Sequence, residues 1–205
     1  MEFLHKDFLP DQFVSYKSWK RFNTFNYGIA VTIFSWFEAS YTLTLFYMHK
    51  NYDVLQPEGY YNQDRRFNIK FRPLNEGKYW PAIAIGVDDV GRFNKINDGN
   101  NNNNYFQNIY GVISKNFIVH DHELGVHIGY RYYPSNKNEN RTGAFAGLTY
   151  RPAFYYPLRF MAEYDGINTS IGADVLLWKQ YFIQVGLIHR EGFFGDLSYH
   201  YKIPF

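Results

Sequence analysis

Apolar and polar residues alternate with a period of two along most of this chain. Within Phe37–Met48 every odd-numbered residue is apolar or aromatic, whereas Glu38 and the next even-numbered residues up to Thr44 are polar. The same alternation recurs in 124–132, 158–165 and 181–188. Successive side chains of a β-strand point to opposite faces, so this period indicates strands rather than helices. The pattern therefore constrains the chain to an all-β fold.

The predicted strands are long. Most span roughly 9–13 residues, whereas globular strands have a mode of ~5–6 and tilted membrane-spanning strands need ~9–11. Their length therefore favours a barrel in a bilayer. We predict about twelve strands, near residues 11–19, 24–35, 37–49, 61–72, 79–89, 105–117, 122–133, 143–152, 157–165, 169–178, 180–190 and 194–205.

The connections between the predicted strands differ in length and composition. One set is rich in Asn, Gly, Asp, Lys and Glu and lies near 50–60, 90–104, 134–142, 166–168 and 191–193. The other set is tighter and lies at Ser35–Trp36, Leu74–Lys78, Val119–His122, Ala153–Tyr156 and Lys179. Long external loops that alternate with short periplasmic turns are typical of outer-membrane barrels.

These observations predict a transmembrane, antiparallel, up-and-down β-barrel of about twelve strands. The barrel would occupy residues 11–205, after a short N-terminal arm at 1–10. With twelve strands both termini lie on the short-turn, periplasmic side. A soluble β-sandwich or lectin is the alternative fold, because a period of two does not say which face meets water and which meets lipid.

Aromatic residues are abundant, with 20 Tyr, 20 Phe and 4 Trp. The rings of Tyr and Trp are apolar while their OH or NH groups are polar, so both residue types suit the membrane–water interface. Trp19, Trp36, Trp80 and Trp178 lie near predicted strand ends and are the expected interface aromatics. Aromatic residues also fill the cores of soluble β proteins, although so many aromatic side chains would be unusual in a soluble core.

The C-terminal segment is amphipathic and ends in an aromatic residue. Tyr199, Tyr201, Ile203 and Phe205 alternate with polar residues such as Lys202. A terminal strand of this kind resembles the signal by which outer-membrane barrels are recognised for assembly. We therefore expect these four apolar residues to form an assembly signal.

Composition excludes several classes of function. Lys plus Arg number 21 against 19 Asp plus Glu, a net charge of +2, which offers no basic patch for nucleic acid. Cysteine is absent, so disulfides, thiolate metal sites and thiol catalysis are excluded. The chain has no run of 18 apolar residues that would make a transmembrane helix. Met1–Asp7 has no signal-peptide pattern, and we expect an outer-membrane protein whose signal was removed or omitted.

An ordered set of segments carries a family resemblance. The segments are Ser35–Ser40, Arg65–Arg72, Trp80–Gly91, Tyr110–Lys115, Gly143–Pro152 and Ala162–Asp165. This order resembles the YjbH-type exopolysaccharide-biosynthesis barrel family, with its P-A-x-A-x-G-x-x-D, Y-x-V-x-S-K, G-x-F-A-G and A-E-Y-D strands. The resemblance implies a Gram-negative outer-membrane protein tied to capsule or exopolysaccharide export. Known members are usually longer, so the chain resembles one barrel module of the family.

Polar residues alternate with the apolar ones and would face the lumen of a barrel. The set expected there is Glu38, Arg72, Asp88, His127, Arg131, Arg151, Arg159, Glu163, Asp165 and Asp174. Both signs of charge are present, and buried charges must be paired, so we predict a network of Arg–carboxylate bridges. A polar lining that holds or passes a sugar chain is the alternative interpretation.

Three groups of residues could carry chemistry, and none is expected to do so. Glu163 and Asp165 could form a glycosidase pair, but the resemblance implies a structural signature. His120–Glu123 reads as a metal cluster, but it fills a tight turn. His189 would need a serine partner on the lipid face to resemble a barrel phospholipase, and no serine is clearly placed. We expect no catalytic residue, metal or cofactor.

The sequence thus leaves two hypotheses about function. The first is a non-enzymatic outer-membrane barrel related to polysaccharide export that acts with partner proteins. The second is a structural or accessory subunit of a larger outer-membrane secretion or assembly complex, with no transport of its own. Expected partners are outer-membrane lipid, other outer-membrane or periplasmic proteins and, as a candidate ligand, polysaccharide. Nucleic acid is not expected.

Overall fold

The structure is a computed structural model that describes residues 24–48, 60–90, 107–134, 141–189 and 192–201. Eleven strands in these ranges form one antiparallel sheet, and every strand pairs with its neighbours in sequence. They are β1 (Thr24–Phe34), β2 (Phe37–Met48), β3 (Tyr60–Leu74), β4 (Ala82–Asp88), β5 (Asn108–Val119), β6 (His122–Tyr132), β7 (Gly143–Arg151), β8 (Leu158–Tyr164), β9 (Thr169–Leu177), β10 (Tyr181–Ile188) and β11 (Gly192–Tyr199). In the described ranges there is no helix long and apolar enough to cross a membrane.

The predicted all-β, up-and-down arrangement is confirmed for the described residues. The predicted strand at 11–19 lies outside them. The strand predicted at 79–89 begins only at Ala82, because the chain folds back before it: the Gly77 N–H donates to the Trp80 carbonyl at 3.1 Å. Among the described strands, β1 and β11 are the two edges of the sheet.

The chain forms two compact units. Unit 1 comprises Met1–Pro73, Ala84–Gly111 and Arg131–Thr142, and it contains β1, β2 and nearly all of β3. Unit 2 comprises Leu74–Ile83, Val112–Tyr130 and Gly143–Phe205, and it contains β7 to β11.

Strand register separates the side chains into two faces. In unit 1, Leu43 of β2 lies opposite Tyr27 of β1, and the next residue, Thr44, lies opposite Asn26. In unit 2, Asp174 of β9 lies opposite Gln184 of β10. At these positions apolar residues meet apolar residues across the strands and polar residues meet polar ones, as a correct register requires.

The exposure of the two faces is the reverse of that in a soluble protein. In unit 1 the side chain of Ile29 is 71% exposed, whereas Arg66 is 3% exposed. In unit 2 Val185 is 58% exposed, whereas Asp174 is 5% exposed. Charged residues are almost never fully buried unless they are paired, so the polar face must satisfy its own charges.

Two hairpins close with two-residue turns in the left-handed region. His120 and Asp121 have φ of 49° and 66° between β5 and β6, and Trp178 and Lys179 have 48° and 62° between β9 and β10. Positive φ at both central residues is the geometry of the type I′ turn, whose twist matches that of the flanking strands. These short turns fix the register of both hairpins.

Gly86 of β4 leaves room for an aromatic ring in unit 1. A Cβ atom at Gly86 would lie 2.1 Å from Cζ of Tyr110, so no larger residue fits unless the ring moves. Tyr110 is 3% exposed and cannot swing into open solvent without rearrangement.

We expect Gly86→Ala to destabilise the protein by about 1–3 kcal/mol, the usual cost of overpacking. Gly111→Ala is the matched control, because a Cβ there meets no atom within 4 Å. Urea unfolding in detergent micelles, followed by tryptophan fluorescence, measures both variants. Equal stability of the two variants would show that Gly86 is not a packing site.

Candidate functional site

The polar face of the sheet is the candidate functional site, and in unit 1 it begins with a ladder across three strands. Nη2 of Arg66 donates to Oγ1 of Thr44 at 2.9 Å. The Thr44 hydroxyl in turn donates to Oδ1 of Asn26 at 2.7 Å. Thr44 is fully buried and Asn26 is half-buried in this ladder, which joins β3, β2 and β1.

A second buried group in unit 1 surrounds the end of β4. Nδ2 of Asn108 donates to Oδ2 of Asp88 at 2.9 Å, and Asn108 is fully buried. The backbone N–H of Asp89 donates to Oδ1 of Asn68 at 3.3 Å. Asp89 has a φ of 56°, so the strand turns sharply where the two acidic residues lie.

Arg131 lies against Tyr133 in the same unit. Its Nη1 donates to the Tyr133 hydroxyl at 3.3 Å, and its guanidinium carbon is 5.9 Å from the ring centre, a cation–π distance. The backbone N–H of Tyr133 donates to Oγ1 of Thr142 at 3.0 Å. Arg131 is 3% exposed.

Unit 1 therefore buries a dense set of polar side chains. Each is 3% exposed or less: Thr44, Asp64, Arg66, Asp88, Asp89, Gln107, Asn108 and Arg131. The polar side of this unit is filled by its own hydrogen-bonding groups. Four of these residues, Thr44, Asp64, Gln107 and Asn108, are not in the polar set predicted above. The period of two nevertheless places Thr44, Asp64 and Asn108 on the polar face of their strands.

In unit 2 the central contact is an ion pair between neighbouring strands. Arg159 of β8 lies directly opposite Asp174 of β9. Nε and Nη2 of Arg159 donate to the same oxygen, Oδ2 of Asp174, at 3.0 and 2.7 Å. Both side chains are largely buried, which makes the bridge a strong, charge-assisted contact.

Arg151 extends this charge network in unit 2. Its Nη1 contacts Oε2 of Glu123 at 3.0 Å, and its guanidinium lies 4.7 Å from the ring centre of Tyr156. Arg151 also interacts electrostatically with Asp174. Glu123 of β6, Arg151 of β7, Arg159 of β8 and Asp174 of β9 thus form one charge network on the polar face of unit 2.

His127 and Glu163, two further members of the predicted polar set, contact hydroxyls in unit 2. Nδ1 of His127 is 2.9 Å from Oγ of Ser114. The Ser170 hydroxyl donates to Oε2 of Glu163 at 3.5 Å, a long hydrogen bond.

Asp165 lies outside β8, in the connection to β9. Its Oδ1 accepts hydrogen bonds from the backbone N–H groups of Ile167 at 2.8 Å and Asn168 at 2.6 Å. This is the geometry of an Asx turn. Glu163 and Asp165 therefore have different surroundings, one facing the strands and the other holding a loop.

Glu38 and Arg72 lie near the β1–β2 turn in unit 1. Nη2 of Arg72 donates to the carbonyl oxygen of Ser35. Oε2 of Glu38 accepts from the Thr32 hydroxyl at 3.4 Å. Both residues thus contact the structure around the turn.

The tryptophans that the structure describes lie in connections from an odd-numbered to an even-numbered strand. Trp36 stacks on Phe34 at 4.9 Å. Nε1 of Trp80 donates to the carbonyl of Asn75 at 3.2 Å. Trp178, 79% exposed, contacts Tyr181 edge-on at 5.9 Å. Trp19 lies outside the described residues.

Half of the expected assembly signal is described. Tyr199 of β11 lies opposite Tyr181, and their rings are 5.2 Å apart. Tyr201 is exposed beyond the strand. Ile203 and Phe205 lie outside the described residues.

Glu76 holds the β3–β4 connection to β5 within unit 2. Its Oε1 lies 3.1 Å from Nζ of Lys115, and its carboxylate accepts from the backbone N–H and the Nδ2 of Asn116, each at 2.8 Å. Burial raises the pKa of Glu76, but these hydrogen bonds and the charge of Lys115 lower it more, so the pKa falls below its ordinary value. The sequence analysis missed this residue because it lies in a turn, where no alternation marks it.

His122, the residue with which β6 begins, makes structural contacts in unit 2. Nδ1 of His122 is 2.8 Å from the Tyr150 hydroxyl and accepts from the backbone N–H of Ala153 at 3.3 Å. His189, proposed above for comparison with barrel phospholipases, donates its backbone N–H to the carbonyl of Thr169 at 2.8 Å. Across the described ranges, no three His, Asp or Glu side chains are grouped so as to hold a metal ion.

Comparison with known proteins gives one family and one relative. The profile of the YjbH family, described as "Exopolysaccharide biosynthesis protein YbjH", matches residues 12–202. The "Uncharacterized lipoprotein YjbH" of Escherichia coli (strain K12) is 23% identical over 207 residues, a match that covers 86% of this chain. The chain spans 28% of that relative's length. No solved structure matches this chain significantly.

We expect Asp174→Ala to destabilise the protein by about 3–5 kcal/mol, because it leaves the Arg159 guanidinium buried without its carboxylate. Urea unfolding in detergent micelles gives the change in free energy. Asp121→Asn, in an exposed turn with positive φ that Asn tolerates, is the control and should be near neutral. If Asp174→Ala lowers the free energy of unfolding no more than the control does, the stabilising role of the ion pair is contradicted.

Proposed function

Because the chain belongs to the YjbH family of exopolysaccharide biosynthesis proteins, we propose that it is a bacterial outer-membrane β-barrel that serves exopolysaccharide export. In this proposal it acts together with partner proteins and catalyses no reaction. The observation that carries the proposal is the reversed exposure of its strands, with apolar side chains outside and charges buried.

The reversed exposure has a simple physical reason in a bilayer. In water, apolar surface as extensive as this would favour association or aggregation. In lipid the same surface is solvated, and charged side chains are costly on the lipid face but not on the inner face. Ile171 and Leu187, both exposed in unit 2 and opposite each other, would meet acyl chains.

Closure of the barrel needs one more strand. β1 and β11 both run in the direction of the odd-numbered strands of an up-and-down sheet. Bacterial single-chain barrels have an even number of antiparallel strands, and lipid does not tolerate open sheet edges. The strand predicted from the sequence at 11–19, outside the described residues, would bring the number to twelve.

The aromatic residues of the short connections support a membrane interface at that end of the strands. Tyr79 and Phe154 are 81% and 80% exposed in unit 2, and Trp178 is similarly exposed. Trp and Tyr concentrate where hydrocarbon meets water, as girdles at the rims of outer-membrane barrels. In the proposed orientation these connections are periplasmic.

The relative adds a cell-envelope context. Its printed name calls it a lipoprotein, and this chain covers 28% of it. We therefore propose an envelope location for this chain too, as a barrel that corresponds to 28% of the longer relative.

The second candidate function is an accessory barrel with no transport of its own. The observation that favours it is the filled polar side of unit 1, where Arg66 and Arg131 are each 3% exposed. Side chains packed this tightly favour a polar side of this unit that is filled rather than one that passes a hydrated sugar chain. Such a barrel would contribute to glycan export by holding partners rather than by conducting glycan.

We expect Val185→Arg to make the free energy of folding into outer-membrane vesicles less favourable by about 2–4 kcal/mol, the cost of an arginine on the lipid face near the bilayer midplane. If the face met water instead, an exposed substitution would change stability by about 0.5 kcal/mol or less. Heat-dependent gel mobility measures folding, and surface polysaccharide yield in a complemented deletion strain measures function.

Gln180→Arg, in an exposed turn of the same unit, is the matched control for this variant. Normal folding of both variants would reject the lipid-facing assignment. Normal polysaccharide in the deletion strain itself would reject the role in export while leaving the fold untouched.

We expect the purified protein to insert into planar bilayers without forming a sugar-sized pore, because the polar side of unit 1 is filled. The double variant Arg66→Ala/Arg131→Ala removes two of the buried side chains and should raise the conductance. Lys179→Ala, in an exposed turn, is the control and should leave it unchanged. A porin-like conductance of the unaltered protein would reject the accessory role and favour glycan passage.

A further inference from the structure

One arginine interrupts the apolar face of unit 1. Among the described residues on the apolar faces of the strands, the only Lys or Arg side chains are Arg65 of β3 and Lys115 of β5. Lys115 forms an ion pair with Glu76. The guanidinium of Arg65 makes no hydrogen bond or ion pair with any described residue, and the Arg65 backbone N–H donates to Oδ1 of Asp64 at 3.0 Å.

The surroundings of Arg65 are apolar and aromatic. Leu43 of β2 lies directly opposite it, and Tyr27 of β1, 59% exposed, lies opposite Leu43. Two residues further along β3, Phe67 contacts Tyr41 at 4.9 Å and is itself 59% exposed. Arg65 is also exposed, so its charge points away from the polar side of the sheet.

The position of Arg65 along β3 places it in the outer half of a bilayer. Phe71 lies on the same face near the short β1–β2 turn, six residues further along the chain. Six residues rise ~20 Å at ~3.3 Å each, or ~15 Å across a membrane for a strand tilted by ~40°. The apolar band of such barrels is ~25 Å tall, so Arg65 lies beyond its middle, toward the long loops.

We propose that Arg65 binds the phosphate of a lipid headgroup in the leaflet on the long-loop side. The inference rests on the proposed membrane location of the barrel. The long, flexible stem of an arginine can lie in hydrocarbon while its guanidinium extends toward the nearer headgroups, where it contacts phosphate oxygens through two parallel N–H donors. The hydroxyl of Tyr27, on the same face, is a second donor near that level.

The experiment uses the full chain folded into nanodiscs of phosphatidylcholine that contain a minority of phosphatidylglycerol. Native mass spectrometry counts the phosphatidylglycerol molecules that stay bound after the protein is released from the disc. We expect Arg65→Gln to lower this retention about fivefold or more. Arg65→Lys should keep part of the retention, because lysine keeps the positive charge and loses only the two parallel N–H donors of the guanidinium. Lys179→Gln removes an exposed turn cation and is the control.

The outcomes separate this inference from the proposed function. Failure of the unaltered protein to fold into the discs would reject the membrane barrel itself. Normal folding with equal lipid retention by the protein and by Arg65→Gln would overturn the headgroup site, including the case in which Arg65 instead meets an acidic group of a partner protein. Equal losses in Arg65→Gln and Lys179→Gln would also overturn it, because they would reflect net charge alone.

Discussion

Arg159 and Asp174 face each other across β8 and β9, and the two donors of the arginine converge on one carboxylate oxygen at 2.7 and 3.0 Å. Charge buried on this side of the sheet is tolerable only because such partners are in register. Arg151 and Glu123 repeat the arrangement in unit 2. Because the charged side chains of these strands are buried, their apolar side chains lie on the exposed face of the sheet, and this exposed apolar face is the basis of the proposed lipid environment.

Unit 1 has neutral partners among the hydrogen bonds of its buried charges. Arg66 donates to a threonine hydroxyl, Arg131 donates to a tyrosine hydroxyl, and Asn108 donates to Asp88. The result is a closely filled polar side in this unit. A filled polar side favours functions at the exposed face, which is why partner and lipid contacts take precedence over conduction in the proposals.

Much of the fold could be predicted from the sequence, because strand periodicity is a local property. All eleven described strands coincide with predicted ones to within a few residues. The later start of β4 arose from a backbone turn at Gly77–Trp80 that side-chain alternation cannot reveal, and β11 ends at Tyr199, whereas the predicted strand ran to 205. Asp165 had the right spacing for the inner face, but its chain leaves β8 one residue earlier and its carboxylate holds a loop.

The sequence by itself determined which residues share a face, since alternation along one strand needs no knowledge of the neighbours. It could not determine which arginine meets which carboxylate, because that depends on the register between strands and on hairpin geometry. Only the tertiary structure paired Arg159 with Asp174, joined Glu76 to Asn116, and left Arg65 among apolar neighbours. Pairing is set by backbone hydrogen bonds across strands, and these have no signature in the order of residues along one strand.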